Sequence, residues 1–266
     1  MQYAQGLEVK YPTAARNFLP AARFVAASLV CIVLAHHAAA LGHEYAHALM
    51  AFALGDKPDP LDIHFGGASV ANLLLLSEID EHVDYTAMFS RGADVDAAFV
   101  GFAGPGLGNG AMYLVSLIAM RLRFARERLI PLLFLYWFNL MNVGNFFSYV
   151  PIRTFVSHGD IGHITRGLHV PAWVALVGLG IPTAMALWWL FTRTMPSVCA
   201  RLAPDAPLRR AFIVTLSVVI VFGFFGLAGW RGYGHVSHAL AVMSLCLIPV
   251  ALFIALRPGT DRRQTR

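Results

Sequence analysis

A chain can cross a bilayer as a helix only where it offers about 20 predominantly apolar residues in a row. This one does so six times, roughly at 21–54, 97–120, 129–150, 170–191, 211–230 and 236–256 of its 266 residues. Nothing constrains the fold more, because in lipid every backbone N–H and C=O must be satisfied inside the spanning element. Composition agrees. The chain is 58% hydrophobic and 13% charged, against about 45–50% and about 25% in soluble domains. Disorder, a collagen-like chain and a soluble globular enzyme are excluded. The expected fold is an all-α membrane protein of about six transmembrane helices.

The first run is too long for a simple crossing. At about 1.5 Å per residue it reaches about 50 Å, against a hydrocarbon core of about 30 Å. Its second half must project, tilt or break, and Gly42 is the candidate break. Lys10, Arg16 and Arg23 ahead of a run ending in Ala38-Ala39-Ala40 have the form of a secretory signal. The apolar pattern continues past that point, so the segment reads as a signal anchor.

Arginine and lysine set the orientation. Fifteen of them flank segment ends on the side of both termini, and five (Lys57, Arg91, Arg153, Arg166 and Arg231) fall on the other, which puts both termini in the cytoplasm. The expected location is the cell (inner) membrane. The pI near 9.4 follows from this topology, and no basic, aromatic-interleaved domain suggests a nucleic-acid partner. The partner that composition implies is the lipid bilayer. Cys31, Cys199 and Cys246 are widely spaced in or beside apolar runs, which suggests neither a disulfide framework nor a thiolate metal site.

The largest connection, 55–96, is acidic and too short for an appended domain of the usual size. Residues 61–76 are rich in β-compatible side chains around Gly66-Gly67, which predicts a short β element after the first helix. Its edge is expected to accept an extended peptide by main-chain pairing. The chain divides into a segment 1–20, a three-span unit 21–168, three further helices in 169–256 and a basic tail 257–266.

Chemistry concentrates in three places. The first is His43-Glu44-Tyr45-Ala46-His47. On a helix the two histidines lie one turn apart and share a face, so both imidazoles reach one metal ion. Glu44, rotated by about 100°, stands beside that metal without ligating it and can take a proton from an activated water. Three ionisable groups in so apolar a helix are functional candidates. The second place is Gly101 to Gly110, whose alternating glycines lack the preceding strand and following Lys of a phosphate loop. They read as close helix packing, with Pro105 as a kink and Asn109 aimed at a neighbour. The third runs through Asn139, Asn142, Asn145, Tyr149 and Pro151 to His158-Gly159-Asp160-Ile161-Gly162-His163. Its asparagines form a polar stripe facing the protein interior. His36, seven residues before His43, reads as a helix-interface histidine, and His235 and His238 as interfacial groups at a helix start.

Taken in order, Leu41-Gly42-His43-Glu44-Tyr45-Ala46-His47-Ala48, Gly66-Gly67, Ala103-Gly104-Pro105 with Asn109, the Asn-rich helix, Pro151 and Gly159-Asp160 resemble the site-2 protease family. These are intramembrane zinc metalloproteases built on a three-helix core, and the resemblance covers about residues 21–163. It implies that Zn2+ is held by His43, His47 and Asp160, that Glu44 is the catalytic base, and that the substrate is a single-pass membrane protein. Asn109, Asn142, Asn145 and His158 are then candidates for supporting the ligands or touching substrate. His158 is also the rival for third ligand, since imidazole and carboxylate both serve zinc. Ala46 stands where the family has Gly, and nine positions separate Pro151 from Asp160. Two other functions fit the pattern: a catalytically inert relative with a binding or regulatory role, and a metal-transport protein.

Overall fold

The computed structural model describes residues 13–256, with side chains from residue 21 onward; the 1–12 and 257–266 ends fall outside the described residues. The element order is α1 (Thr13–Leu54), α2 (Val70–Leu75), α3 (Tyr85–Ser90), α4 (Asp94–Phe102), α5 (Gly110–Ala119), α6 (Arg123–Arg126), α7 (Leu129–Phe147), α8 (Gly159–Gly167), α9 (Ala172–Trp189), α10 (Met195–Leu202), α11 (Pro207–Val218) and α12 (Gly234–Ala255). Wider, π-type turns join α4 to α5 (Ala103–Asn109), extend α7 (Ser148–Ile152), join α9 to α10 (Leu190–Thr194) and extend α11 (Val219–Phe225).

Five helical runs are long and apolar enough to cross a membrane: Ala21–Leu54, Leu129–Ile152, Ala172–Leu202, Pro207–Gly229 and Gly234–Ala255. The chain is therefore an all-α, multi-pass integral membrane protein. The segment expected at 97–120 is helical throughout, but its glycines, Pro105 and Asn109 dilute its apolarity and it is not one of the five. Outward faces of α9 and α12 carry Ile181, Met185, Trp188, Met243, Phe253 and Ile254, all exposed, as lipid-facing surfaces do.

α7 is the central helix. Leu132, Leu133, Tyr136, Trp137 and Leu140 are buried in one core with Phe24 and Ala35 of α1 and Ile213 and Val214 of α11. The Tyr136 hydroxyl is hydrogen-bonded to Ser217 Oγ, which itself donates to Ile213 O at 2.6 Å. A buried phenol is tolerated where its polar end finds a partner.

Two expectations are corrected. α1 runs unbroken through Gly42; a Cβ at that position would meet Met112 Sδ at 2.5 Å, so the glycine serves close packing rather than a break. The short β element is absent: among the described residues there is no strand, and the pairing reduces to one antiparallel bridge, His64 with Asp80. In the stretch 61–76, side-chain hydrogen bonds prevail over β propensity. Ser69 caps α2 by accepting from Asn72 N at 3.1 Å, and Leu76 closes it in a left-handed conformation. Asn72 is the hub of the loop, donating to Phe65 O and Gly67 O, each at 2.7 Å, and accepting from Glu78 N at 2.9 Å. The ring nitrogens of His36 and His37 on α1 donate to Leu75 O at 2.7 Å and Leu73 O at 2.9 Å, satisfying carbonyls at the end of α2. His36 is thus a helix-interface group, also edge-on to Phe224.

Further along, the Lys57 ammonium donates to His82 O at 2.9 Å, and Asp56 pairs with Arg91. These bonds fold the 55–93 connection onto the end of α1.

Asn72→Ala removes three hydrogen bonds from a buried hub, at about 1–3 kcal/mol for the groups left unpaired. Hydrogen exchange followed by mass spectrometry should show amides of the 64–80 loop exchanging about tenfold faster or more, with α7 unchanged. Unaltered protection across the loop would contradict the role given to Asn72.

Candidate metal centre

His43 and His47 lie one turn apart on α1, and their side chains are almost fully buried. What each imidazole can do is decided by its other nitrogen. The Phe138 carbonyl can only accept, so Asn142 turns Nδ2 toward it at 2.7 Å. Asn142 Oδ1 then accepts from Asn109 Nδ2 at 2.9 Å, and Asn109 Oδ1 faces His43 Nδ1 at 2.6 Å. His43 must therefore carry its proton on Nδ1, leaving the Nε2 lone pair free. His47 reaches the same state by a shorter route, donating from Nδ1 to Val100 O at 2.6 Å. Val100 sits just ahead of the wide turn that joins α4 to α5.

Asp160 enters from the first turn of α8, placed by the left-handed turn at Gly159. Its Oδ2 lies 3.0 Å from His43 Nε2 and 3.4 Å from His47 Nε2, and the two Nε2 atoms are 3.1 Å apart. Three lone-pair-bearing atoms thus converge, and Asp160 Oδ2 is buried without a hydrogen-bond donor. A proton can link two of these atoms; a metal ion engages all three at once. Ligand atoms around a tetrahedral ion at about 2.0–2.1 Å stand roughly 3.3 Å apart, and the observed separations match. The His43, His47 and Asp160 group can hold a metal ion.

Glycines let the segments come this close. A Cβ added at Gly104 would fall on His47 Nε2 and the His43 ring. At Gly108 it would stand 2.8 Å from Gly42 O, and at Gly101 3.0 Å from Asp160 O. The alternating glycines therefore pack one helical run against both ligand-bearing helices. Thiolates play no part: among the described residues no cysteine joins the group, and Cys31, Cys199 and Cys246 form no disulfide.

Glu44 is half-buried, with the carboxyl of Glu81 in hydrogen-bonding reach and His47 close by. Glu81 also lies against Tyr85, whose ring stacks on His163 with centroids 3.7 Å apart. Burial pushes the Tyr85 hydroxyl well above its ordinary value, and the carboxylates of Glu81 and Asp160 add to this. Burial also pushes His163 below the usual imidazole value. The 55–93 connection thus covers one side of the site.

Not every candidate joins. Asn109 and Asn142 form the relay, and Asn139 donates to Ser116 Oγ at 2.8 Å, tying α7 to α5. Asn145 is only half-buried and stands apart from the relay. Each three-residue step on a helix falls 60° short of a full circle, so the third asparagine drifts off the face of the first. His158 is exposed and stacks on Tyr233 at 5.3 Å, while Asp160, two residues on, faces the histidines.

Sequence reasoning missed Val100 as the His47 acceptor and Glu81 beside Glu44, and it named Tyr149 without placing its hydroxyl, which is 3.0 Å from His43 Nε2. The one available signal was the seven-residue spacing from Asn142 to Tyr149, which puts both on one helix face.

No protein-family profile, curated protein or solved structure matches this chain.

Gly104→Ala should abolish metal binding, because its methyl group occupies the space of the imidazole nitrogens. Gly178→Ala, where nothing lies within 4 Å, should leave it intact. Elemental analysis of the two purified variants checks this, and equal metal content would contradict the packing account.

Proposed function

We propose that the chain is a membrane-embedded zinc endopeptidase of the site-2 protease kind, cleaving single-pass membrane proteins within or beside their transmembrane segment. The observation that carries this reading is the set of converging lone pairs on His43, His47 and Asp160, with Glu44 next to His43 on the same helix. Two imidazoles and one carboxylate are a donor set of catalytic zinc, which takes three protein ligands and leaves one position open. When bound, zinc would polarise a peptide carbonyl and make a water acidic near neutral pH. Glu44 takes the proton that such a water releases and passes it to the leaving nitrogen. Asn109, Asn142 and the Val100 carbonyl fix the imidazoles, so neither ring has to reorient.

The surroundings support this reading. In it the helical run from Asp94 to Ala119 is a sixth crossing, so that α1, this run and α7 form a three-helix protease core within residues 21–168. Both termini are cytoplasmic, in the cell (inner) membrane, as the arginine distribution indicates. An apolar cavity of about 510 Å³ between the 102–114 segment, α7 and α9 is lined by Phe102, Leu107, Phe146, Tyr149, Ile161 and Leu179. It suits apolar side chains arriving from the bilayer. A substrate helix hides its amides in internal hydrogen bonds and must unwind locally before attack. A metal transporter would have no use for Glu44 beside the histidine pair. A catalytically inert relative would lack one of the four groups, and all four are present.

Co-reconstitution with candidate single-pass substrates tests the reading. Glu44→Gln should lower cleavage by about 10²–10⁴-fold while one zinc per chain remains bound. His43→Ala or Asp160→Ala should lose zinc and cleavage together, and His158→Ala should keep zinc. Full cleavage by Glu44→Gln, or zinc retained in Asp160→Ala and lost in His158→Ala, would overturn the assigned roles.

A further inference from the structure

Tyr149 follows α7 in the Ser148–Ile152 turn and brings its hydroxyl to 3.0 Å from His43 Nε2. Its ring lies nearly parallel to the imidazole, at 10° with centroids 5.0 Å apart. Because His43 Nδ1–H is committed to Asn109, Nε2 is the acceptor and the tyrosine hydroxyl the donor. The ring is also held by Arg153, whose guanidinium carbon lies 4.1 Å from its centroid. Arg153 is fixed in turn by donating to Ser148 O at 3.1 Å, Ser148 Oγ at 3.0 Å and the Tyr233 hydroxyl at 3.4 Å.

His43 would use, to hold a metal ion, the same Nε2 lone pair that now accepts from the hydroxyl. The tyrosine hydroxyl, half-buried where its ring packs against His43 and Arg153, would then be released to donate to an oxygen that arrives beside it. The same side chain lines the apolar cavity, so that oxygen comes with whatever enters from there.

We propose that Tyr149 is a catalytic residue that donates a hydrogen bond to the scissile carbonyl oxygen as it becomes negatively charged. The inference rests on the endopeptidase reading and deepens it. As the water oxygen bonds to the carbonyl carbon, the π pair moves onto the carbonyl oxygen and the tyrosine hydrogen bond to it shortens. Tyr149 keeps its proton, and Glu44 handles the one that water releases. The positive charge of Arg153 beside the ring strengthens the donor.

The test compares the wild-type chain and Tyr149→Phe in lipid nanodiscs, using a single-pass substrate whose cleavage depends on Glu44. The probes are zinc content, kcat and KM, the affinity of a phosphinic peptide spanning the cleaved sequence, and the visible spectrum after cobalt(II) substitution. Removing one such donor should lower kcat about 100-fold or more and weaken the phosphinate comparably. KM and zinc content should stay within twofold and the cobalt spectrum unchanged. A kcat within threefold of wild type, or an effect confined to KM, sinks the proposal. Loss of zinc or an altered cobalt spectrum makes Tyr149 part of the metal-holding group and also overturns it. A wild-type chain that neither holds zinc nor cleaves defeats the endopeptidase reading and the tyrosine proposal with it. Wild-type cleavage matched by Tyr149→Phe defeats the tyrosine proposal alone.

Discussion

The polarity of one hydrogen-bond chain governs the site. A helix carbonyl at Phe138 cannot donate, so it dictates the orientation of Asn142, then of Asn109, then the tautomer of His43. Reversing any member would leave two donors or two acceptors facing each other in a buried place, where unpaired polar groups are penalised most. The Val100 carbonyl does the same for His47. Both imidazoles therefore present lone pairs to Asp160 Oδ2 before any ligand arrives, and the fold pre-organises a group that can hold a metal ion.

That arrangement needs helices closer than ordinary side chains allow. Gly101, Gly104 and Gly108 let the 94–119 run approach both α1 and α8, and Gly104 makes room for the imidazole nitrogens themselves. The same glycines, with Pro105 and Asn109, make this run less apolar than the five clear spanning helices. Its composition thus follows from its packing partners. In lipid, helices associate through close van der Waals contact and interhelical hydrogen bonds rather than through hydrophobic exclusion. The Asn109–Asn142 and Asn139–Ser116 bonds supply the second of these.

Local regularities made much of this legible in the sequence. The long apolar runs and the i, i+4 histidines follow from helical geometry alone, and the five spanning helices with His43 and His47 on one face bear out that part. The stretch 61–76 misled because its β-rich composition is overruled by Ser69 and by Asn72, whose partners lie up to seven residues away. Gly42 read as a break because sequence does not reveal Met112 packed beside it. Asn145 shares with Asn139 and Asn142 a three-residue spacing that a 3.6-residue helix does not keep in register. Glu81 and Tyr149 could not be assigned, since what brings them to the site is the folding of the 55–93 connection and the turn after α7.

The central claim is that His43, His47 and Asp160 together hold one metal ion. X-ray absorption at the zinc edge of the purified, unsubstituted chain tests it most directly. The expected spectrum is one zinc per chain with two imidazole nitrogens and carboxylate oxygen at about 2.0–2.2 Å and no sulfur in the first shell. Zinc absent from the purified chain, or held by sulfur ligands, would contradict it.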